Sequence, residues 1–194
     1  MTNEHPHRED REMERRTDDA INGIDLPNEV GLISEADLVH LRRAVALALE
    51  AAWRGDLPVG SVVTLDGGVI AEAGNGVLVP AYHPGRHAET EALARVPAAL
   101  WPRAREMTCY TTLEPCVMCA GALVLHGVGR VVFGALDPLG GAGGLLKHLP
   151  DYYAGGAGVP RWVGPVMPDV CDPLFRRVLS RFDSLPCGKD NFPD

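Results

Sequence analysis

Apolar side chains recur at spacings of three and four from Leu38 through Leu41, Val45 and Leu49 to Ala52, which predicts one face of an amphipathic helix. Ser34 with Asp37 supplies the start signal, a capping box in which Asp replaces the usual Glu or Gln. Gly55 is the stop. The period then changes. LPVGSVVTL predicts a buried strand from about Val59 to Leu65, Asp66-Gly67-Gly68 a turn, and VIAEAGN a returning strand, a hairpin by its turn chemistry. A loop holding Pro80 and Pro84 runs from Gly76 to Arg86. HAETEALARV predicts a short helix ended by Pro97, and MTCYTTL a third strand. PCVMCAGALVLHG predicts a helix with Pro115 near its start and Gly127 at its end, and RVVFGA a fourth strand. LGGAGGLL reads as a flexible loop and RWVGPV as a fifth strand weakened by Gly164 and Pro165. DPLFRRVLSRF predicts a last helix with Asp172 as N-cap and Pro173 at N1. Helices between strands imply an α/β layered domain, and the opening hairpin makes its sheet mixed.

Residues 1 to about 33 break this pattern. Charges of both signs and few apolar positions predict a disordered tail, ahead of a single domain over residues 34–194. With 46% of its 194 residues hydrophobic, the chain can fill one core. Its net charge of -8 matches nucleic acid poorly, because such binding draws on Lys and Arg; a local basic patch stays open. The N-terminal MTNEHPHREDREMERR lacks the apolar core of a secretory signal, and no later stretch is long enough to span a bilayer. A cytoplasmic location is therefore expected, where free thiols persist. The five cysteines are an odd number, which does not close a disulfide framework. Two of them, Cys116 and Cys119, stand three apart and suit a metal.

His87-Ala88-Glu89 followed by Pro115-Cys116-Val117-Met118-Cys119 carries the chemistry. His87, Cys116 and Cys119 are three ligands of the right softness for zinc. Three protein ligands leave a fourth tetrahedral position for water, whereas a structural site is normally closed by a fourth ligand. Cys116 and Cys119 share a face at the start of a helix, whose partial positive charge favours thiolates. Glu89, two residues beyond His87, is expected near the metal without binding it. There it takes a proton from water, whose pKa zinc lowers towards about 7, and passes protons to a ring nitrogen and a departing amine. A lone CxxC says little. HxE with PCxxC, a strand between them and helices under both halves, is the pattern of zinc deaminases acting on nucleobases.

With these residues in hand, the chain resembles the cytidine and deoxycytidylate deaminase superfamily. Within it, the chain is most similar to the branch of bacterial tRNA adenosine deaminases, guanine deaminases and fungal-type cytosine deaminases. PVGSVV, GN, HAE, TTLEPCVMCAGAL and GRVVFGA carry the resemblance, from about Leu38 to Leu146; from about residue 147 the C-terminal segment diverges. The resemblance implies a three-layer α/β/α fold around a five-stranded mixed sheet, and zinc on His87, Cys116 and Cys119. It also implies Glu89 as proton shuttle and a homodimer. Asn75 stands where relatives place a substrate-binding asparagine, and reads equally as a turn residue at a strand end. Ala88, between His87 and Glu89, joins the same substrate-binding set. Glu114 either holds a loop or touches a substrate amine.

Other residues depart from the branch or stay open. Arg86 replaces a small residue, and either contacts an anionic group, points to solvent or forms an ion pair. His83 reads as a loop residue near the metal, and His126 as the end of a helix. Tyr152, Tyr153, Trp162, Phe175 and Phe182 are candidates to stack on a ring or to fill the core. Leu123 and Leu125 serve an interface or face the sheet. The leading expectation is hydrolytic deamination of a small nucleobase, nucleoside or related aminated heterocycle by zinc-bound hydroxide. The alternatives are a tRNA wobble adenosine deaminase and a catalytically silent zinc scaffold; Glu89, not needed merely to hold zinc, argues against the scaffold.

Overall fold

The computed structural model describes residues 33–155 and 158–183. The expected tail, apart from Ile33, lies outside them. Helix α1 (Glu35–Trp53) begins on the expected box: Asp37 N–H donates 3.2 Å to Ser34 Oγ, and Ser34 N–H donates 2.7 Å to Asp37 Oδ2. Strands β1 (Gly60–Leu65) and β2 (Gly68–Gly74) form an antiparallel hairpin. Its two turn residues, Asp66 and Gly67, both take positive φ, the geometry of a tight hairpin turn. Helix α2 (Ala88–Ala94), a 3₁₀ stretch (Ala98–Glu106), β3 (Thr108–Leu113), α3 (Val117–Leu125) and β4 (Arg130–Ala135) follow. A 3₁₀ turn (Leu145–His148), α4 (Asp151–Gly155), β5 (Arg161–Val163) and α5 (Pro168–Asp183) complete the described chain.

The sheet order is β2-β1-β3-β4-β5. β3 runs antiparallel to β1 and parallel to β4, and β4 is parallel to β5. The sheet is therefore five-stranded and mixed, as expected. Strand alternation sorts the core into two layers. Cys109 and Val131 meet Ala92 of α2 and Leu123 of α3 on one face. Tyr110 and Val132 meet Leu41, Ala44 and Leu47 of α1 on the other. Gly134 shares the face of Val132 and lies against Cys171 of α5, so α1 and α5 form one outer layer and α2 and α3 the other.

Three sequence expectations are corrected. The buried face of α1 is Asp37, Leu41, Ala44, Leu47, Ala48 and Ala51, while Leu49 is exposed. The alanines win because the helix lies almost on the backbone of β1: a Cβ at Gly60 would stand 2.1 Å from the Ala44 carbonyl oxygen. Helix α5 starts at Pro168, so Asp172 is not its N-cap and Pro173 lies inside it. The earlier start is set by Val170 and Cys171, whose N–H groups both donate to the Met167 carbonyl. Strand β5 ends at Val163, before Gly164 and Pro165. The chain still follows β4, through Val166 N–H to Phe133 O and Met167 N–H to Gly134 O, each 3.0 Å. Leu123 is fully buried against the sheet and Leu125 exposed. No helix among the described residues is long and apolar enough to cross a membrane.

Candidate active site

Two helix N-termini converge at the end of the sheet. His87 is the N-cap of α2, Cys116 is the N-cap of α3, and Cys119 lies within the first turn of α3. Nδ1 of His87 lies 3.6 Å from Cys116 Sγ and 3.5 Å from Cys119 Sγ, and the sulfurs are 3.7 Å apart. Tetrahedral bonds of about 2.0–2.3 Å place ligand atoms about 3.5–3.8 Å from one another, so the three atoms fit one zinc ion. They are the one group of metal-ligand type among the described residues. The sulfur contact with Cys119 holds the Cys116 thiol well below its ordinary range; desolvation by burial opposes this, and His87 supports it.

Glu89 is buried beside this triangle. Its Oε1 accepts a 2.6 Å bond from the Thr111 hydroxyl, and its Oε2 lies 3.3 Å from Cys119 Sγ. Burial pushes its carboxyl above the usual range, against the Thr111 bond, which suits a group that must both take and give a proton. A cavity of about 210 Å³ opens here. Its polar side is Asn75, His87, Glu89, Glu114, Cys116 and Asp137; its apolar side is Leu57, Val59, Leu113 and Val178.

The remaining expected residues fall in different places. Asn75 is buried, and its Oδ1 accepts from Val77 N–H at 2.9 Å. Ala88 is the buried first residue of α2, and its N–H is one of those a helix does not use itself. Arg86 does not line the cavity; it donates to Glu91 at 3.0 and 3.3 Å, with its guanidinium against Gly76. Glu114 accepts from Gly143 N–H at 3.0 Å, Asp137 N–H at 3.3 Å and Trp162 Nε1 at 3.3 Å. A Cβ at Gly141 would stand 2.3 Å from Glu114 Oε2, and one at Gly143 2.7 Å from Oε1. The glycines of the LGGAGG segment thus let the loop close around this carboxylate. His83 is exposed and accepts from Gly85 N–H. His126 donates to Ala122 O and packs on Trp101.

Among the ring candidates, Tyr152 and Tyr153 pair edge to face at the surface, and Phe175 packs beside Val178. Phe182 lies outside the residues whose side chains are described. Sequence reasoning missed Asp56, Thr111 and Asp137. Thr111 carried a legible signal, a hydroxyl on the face of β3 that otherwise presents Cys109 and Leu113. Asp56 had none, since a loop aspartate after Gly55 reads as solvated. It is in fact buried, and accepts from Leu57, Leu78 and Val79 N–H at 2.8, 3.1 and 3.0 Å.

Residues 34–135 match the model of the cytidine and deoxycytidylate deaminase zinc-binding region. The tRNA-specific adenosine deaminase of Bacillus subtilis (strain 168) is 41% identical over 115 residues, 58% of this chain and 70% of that protein. A solved structure from work on A-to-I editing by tRNA:A34 deaminases superposes with a TM-score of 0.61 at 30% identity, covering 71% of this chain and 99% of that one. A guanine deaminase from Nitrosomonas europaea superposes with a TM-score of 0.57 at 22% identity over 80% of this chain and 95% of that one, a likeness of fold.

Proposed function

The chain belongs to the cytidine and deoxycytidylate deaminase family and is a hydrolase of carbon–nitrogen bonds with zinc as its metal; from that premise we propose that it releases ammonia from a small nucleobase, nucleoside or related aminated heterocycle. The observation that carries this is the cavity. At about 210 Å³ it is smaller than the roughly 300–1,000 Å³ of sites for drug-sized ligands. Most of the wall surface it exposes is apolar although six of its ten lining residues are polar, and no Lys or Arg lines it among the described residues. A flat ring is suited to that space, whereas a phosphate there would meet Glu114 and Asp137.

Held by His87, Cys116 and Cys119, zinc supplies the Lewis acidity that makes water a nucleophile at neutral pH. Glu89 takes the proton of the attacking water and returns protons to the ring and to the leaving amine. Asn75, its oxygen held by Val77, offers its amide N–H₂ to a ring acceptor, and the N–H of Ala88, at the first position of α2, is the proposed donor to a second one. Arg86 is engaged by Glu91 and takes no part in this scheme. The exposed Val117, Met118 and Leu125 of α3 support a homodimer, which sedimentation equilibrium would refute by returning a monomer mass.

A second reading, deamination of the tRNA wobble adenosine, is favoured by the Bacillus relative and by where the charge lies. Residues 1–32 hold nine acidic and four basic residues, so five of the eight net negative charges sit there; residues 33–183 hold fifteen acidic and thirteen basic. Acidity therefore weighs little against a nucleic-acid partner for the folded domain. The test is ammonia release by zinc-loaded protein from adenine, guanine, cytosine, their nucleosides, aminated triazines and pterins, and an anticodon stem-loop, with Glu89→Ala as control. Release from a small ring, lost in the control, is expected. Release from the stem-loop alone would favour the second reading. Equal release by the control would remove Glu89 from the mechanism.

A further inference from the structure

Thr111 is fully buried on β3, and its hydroxyl has Glu89 Oε1 as its one hydrogen-bond partner among the described residues. Packing does not explain the hydroxyl, because valine has nearly the same shape and would suit a face that otherwise carries Cys109 and Leu113. Glu89 Oε2 lies 3.3 Å from Cys119 Sγ, within the ligand triangle. The two carboxylate oxygens are therefore inequivalent, one tied to the sheet and the other facing the reaction.

We propose that Thr111 is a positioning residue for Glu89, tying Oε1 to β3 so that Oε2 is the oxygen presented to the reaction. The proposal rests on the reading of Glu89 as the proton shuttle. A buried hydroxyl keeps its hydrogen bond. With a proton on Oε2, Oε1 is the carbonyl-type oxygen and still accepts from Thr111. With the proton on Oε1, that oxygen becomes a donor aimed at Thr111. The threonine hydrogen then loses the one acceptor it has among the described residues. Only loading at Oε2 keeps the Thr111 bond through both states of the carboxyl. In the reaction, water gives up two protons in turn. The first passes through Oε2 to a ring nitrogen as the carbon–oxygen bond forms. The second passes through Oε2 to the amine, whose carbon–nitrogen bond breaks. Ammonia and an oxo ring leave, and Glu89 is again a carboxylate. A carboxyl free to rotate would spend part of its time with the proton on the side away from the substrate.

The experiment compares Thr111→Val, Thr111→Ser and Glu89→Gln in the full chain. Readouts are zinc content, the rate of zinc loss to a chelator, thermal unfolding, and kcat and KM on whichever of adenine, guanine and cytosine is turned over fastest. Thr111→Val is expected to lower kcat at least tenfold with KM within twofold, and to keep zinc stoichiometry and its rate of loss. Thr111→Ser should return kcat to within threefold of wild type. Should the valine variant not fold, Thr111→Cys, a weaker donor, must give a kcat between wild type and one tenth of it. Unchanged kcat in Thr111→Val beside an inactive Glu89→Gln would overturn this proposal and leave the shuttle reading standing. Wild-type activity in Glu89→Gln would overturn both. A serine variant as slow as the valine one, or faster zinc loss in Thr111→Val, would reduce Thr111 to a structural role.

Discussion

Gly134 of β4 lies so close beneath Cys171 of α5 that a Cβ on the glycine would stand 2.3 Å from the sulfur and 2.9 Å from the Thr112 carbonyl oxygen. This contact, with the Val166 and Met167 bonds to β4, sets how α5 crosses the end of the sheet and so where Val178 meets the cavity. Gly134→Ala overpacks a site that has no slack, at a cost of about 1–3 kcal/mol. It is expected to lower the unfolding midpoint in urea and to raise KM more than it lowers kcat. Cys171→Ala in the same chain should recover part of the stability, because it removes the nearer obstacle. A double variant no better than Gly134→Ala alone would place the strain at Thr112 instead.

Asp37 ties the start of α1 to two strands. It accepts from Tyr110 Oη at 2.7 Å and from Arg130 at 2.5 and 3.2 Å, besides closing the capping box. Burial pushes its carboxyl up, but the Arg130 guanidinium, the Ser34 N–H and the Tyr110 hydroxyl outweigh it and hold the carboxyl far below the ordinary 3.8. A carboxyl whose pKa is depressed on folding adds stability that is complete above the unfolded value and is lost as pH falls towards the folded one. Breaking such a buried pair costs about 3 kcal/mol or more. Asp37→Asn should therefore be destabilised by about that much at pH 7, and the gap to wild type should narrow from about pH 4 downwards. A gap constant from pH 7 to pH 2.5 in denaturant titrations would contradict this.

The elements and the ligand set were legible because each is written locally. Asp66-Gly67 marks the hairpin, and His87, Cys116 and Cys119 sit on helix starts that sequence spacing reveals. What was not legible depends on contacts between distant segments. Leu49 fits the helical period as well as Leu47, and only the closeness of Gly60 to Ala44 turns the alanines inward. Asp37 reads as an exposed cap, since Tyr110 and Arg130 lie 73 and 93 residues away. Pro173 looks like a helix start, but the helix is begun earlier by a segment hydrogen-bonded to β4. Glu114 left two readings open; only the loop folded around it shows its oxygens taken up by Gly143, Asp137 and Trp162.

Asp56 joins two cavity walls. Its three backbone partners lie in the segment that carries Leu57 and in the loop that follows Asn75. Asp56→Ala leaves three N–H groups, that of Leu57 buried and those of Leu78 and Val79 part-buried, without their acceptor, each costing about 1–3 kcal/mol in the limit of no water. A loss of at least 2 kcal/mol and a several-fold rise in KM are expected, with zinc stoichiometry unchanged. Asp56→Asn, which keeps one oxygen, should fall between. Identical KM in all three proteins would show that the loops hold their places without the carboxylate.

Arg86 tests the proposed preference for uncharged rings. Its guanidinium is held by Glu91 and lies against Gly76, and Arg86 is not among the residues lining the cavity. Arg86→Gln should leave the ratio of base to nucleotide turnover within twofold of wild type. A selective loss of nucleotide turnover, read as ammonia release from matched base and 5′-monophosphate pairs, would bring the side chain back to the substrate.

Zinc removal should separate the roles of the four central residues. The ligands come from two helix starts whose atoms already stand 3.5–3.7 Å apart, so the ion joins α2 to α3 with little rearrangement. At a hundredfold its dissociation constant, a ligand that binds only the folded chain adds about 2.7 kcal/mol, or roughly 5–10 °C in midpoint for a chain of this size. A chelator should lower the midpoint by that order, and added zinc should restore it. Cys116→Ser and Cys119→Ser should lose zinc and show no chelator shift. Glu89→Ala should keep both the zinc and the shift while losing turnover, because in the proposed scheme its carboxylate works beside the metal rather than on it. Bound zinc should also fall as pH is lowered, since thiolate and imidazole ligands must shed their protons to bind. Loss of zinc from Glu89→Ala would make that residue a ligand and leave the proton transfers without a carrier.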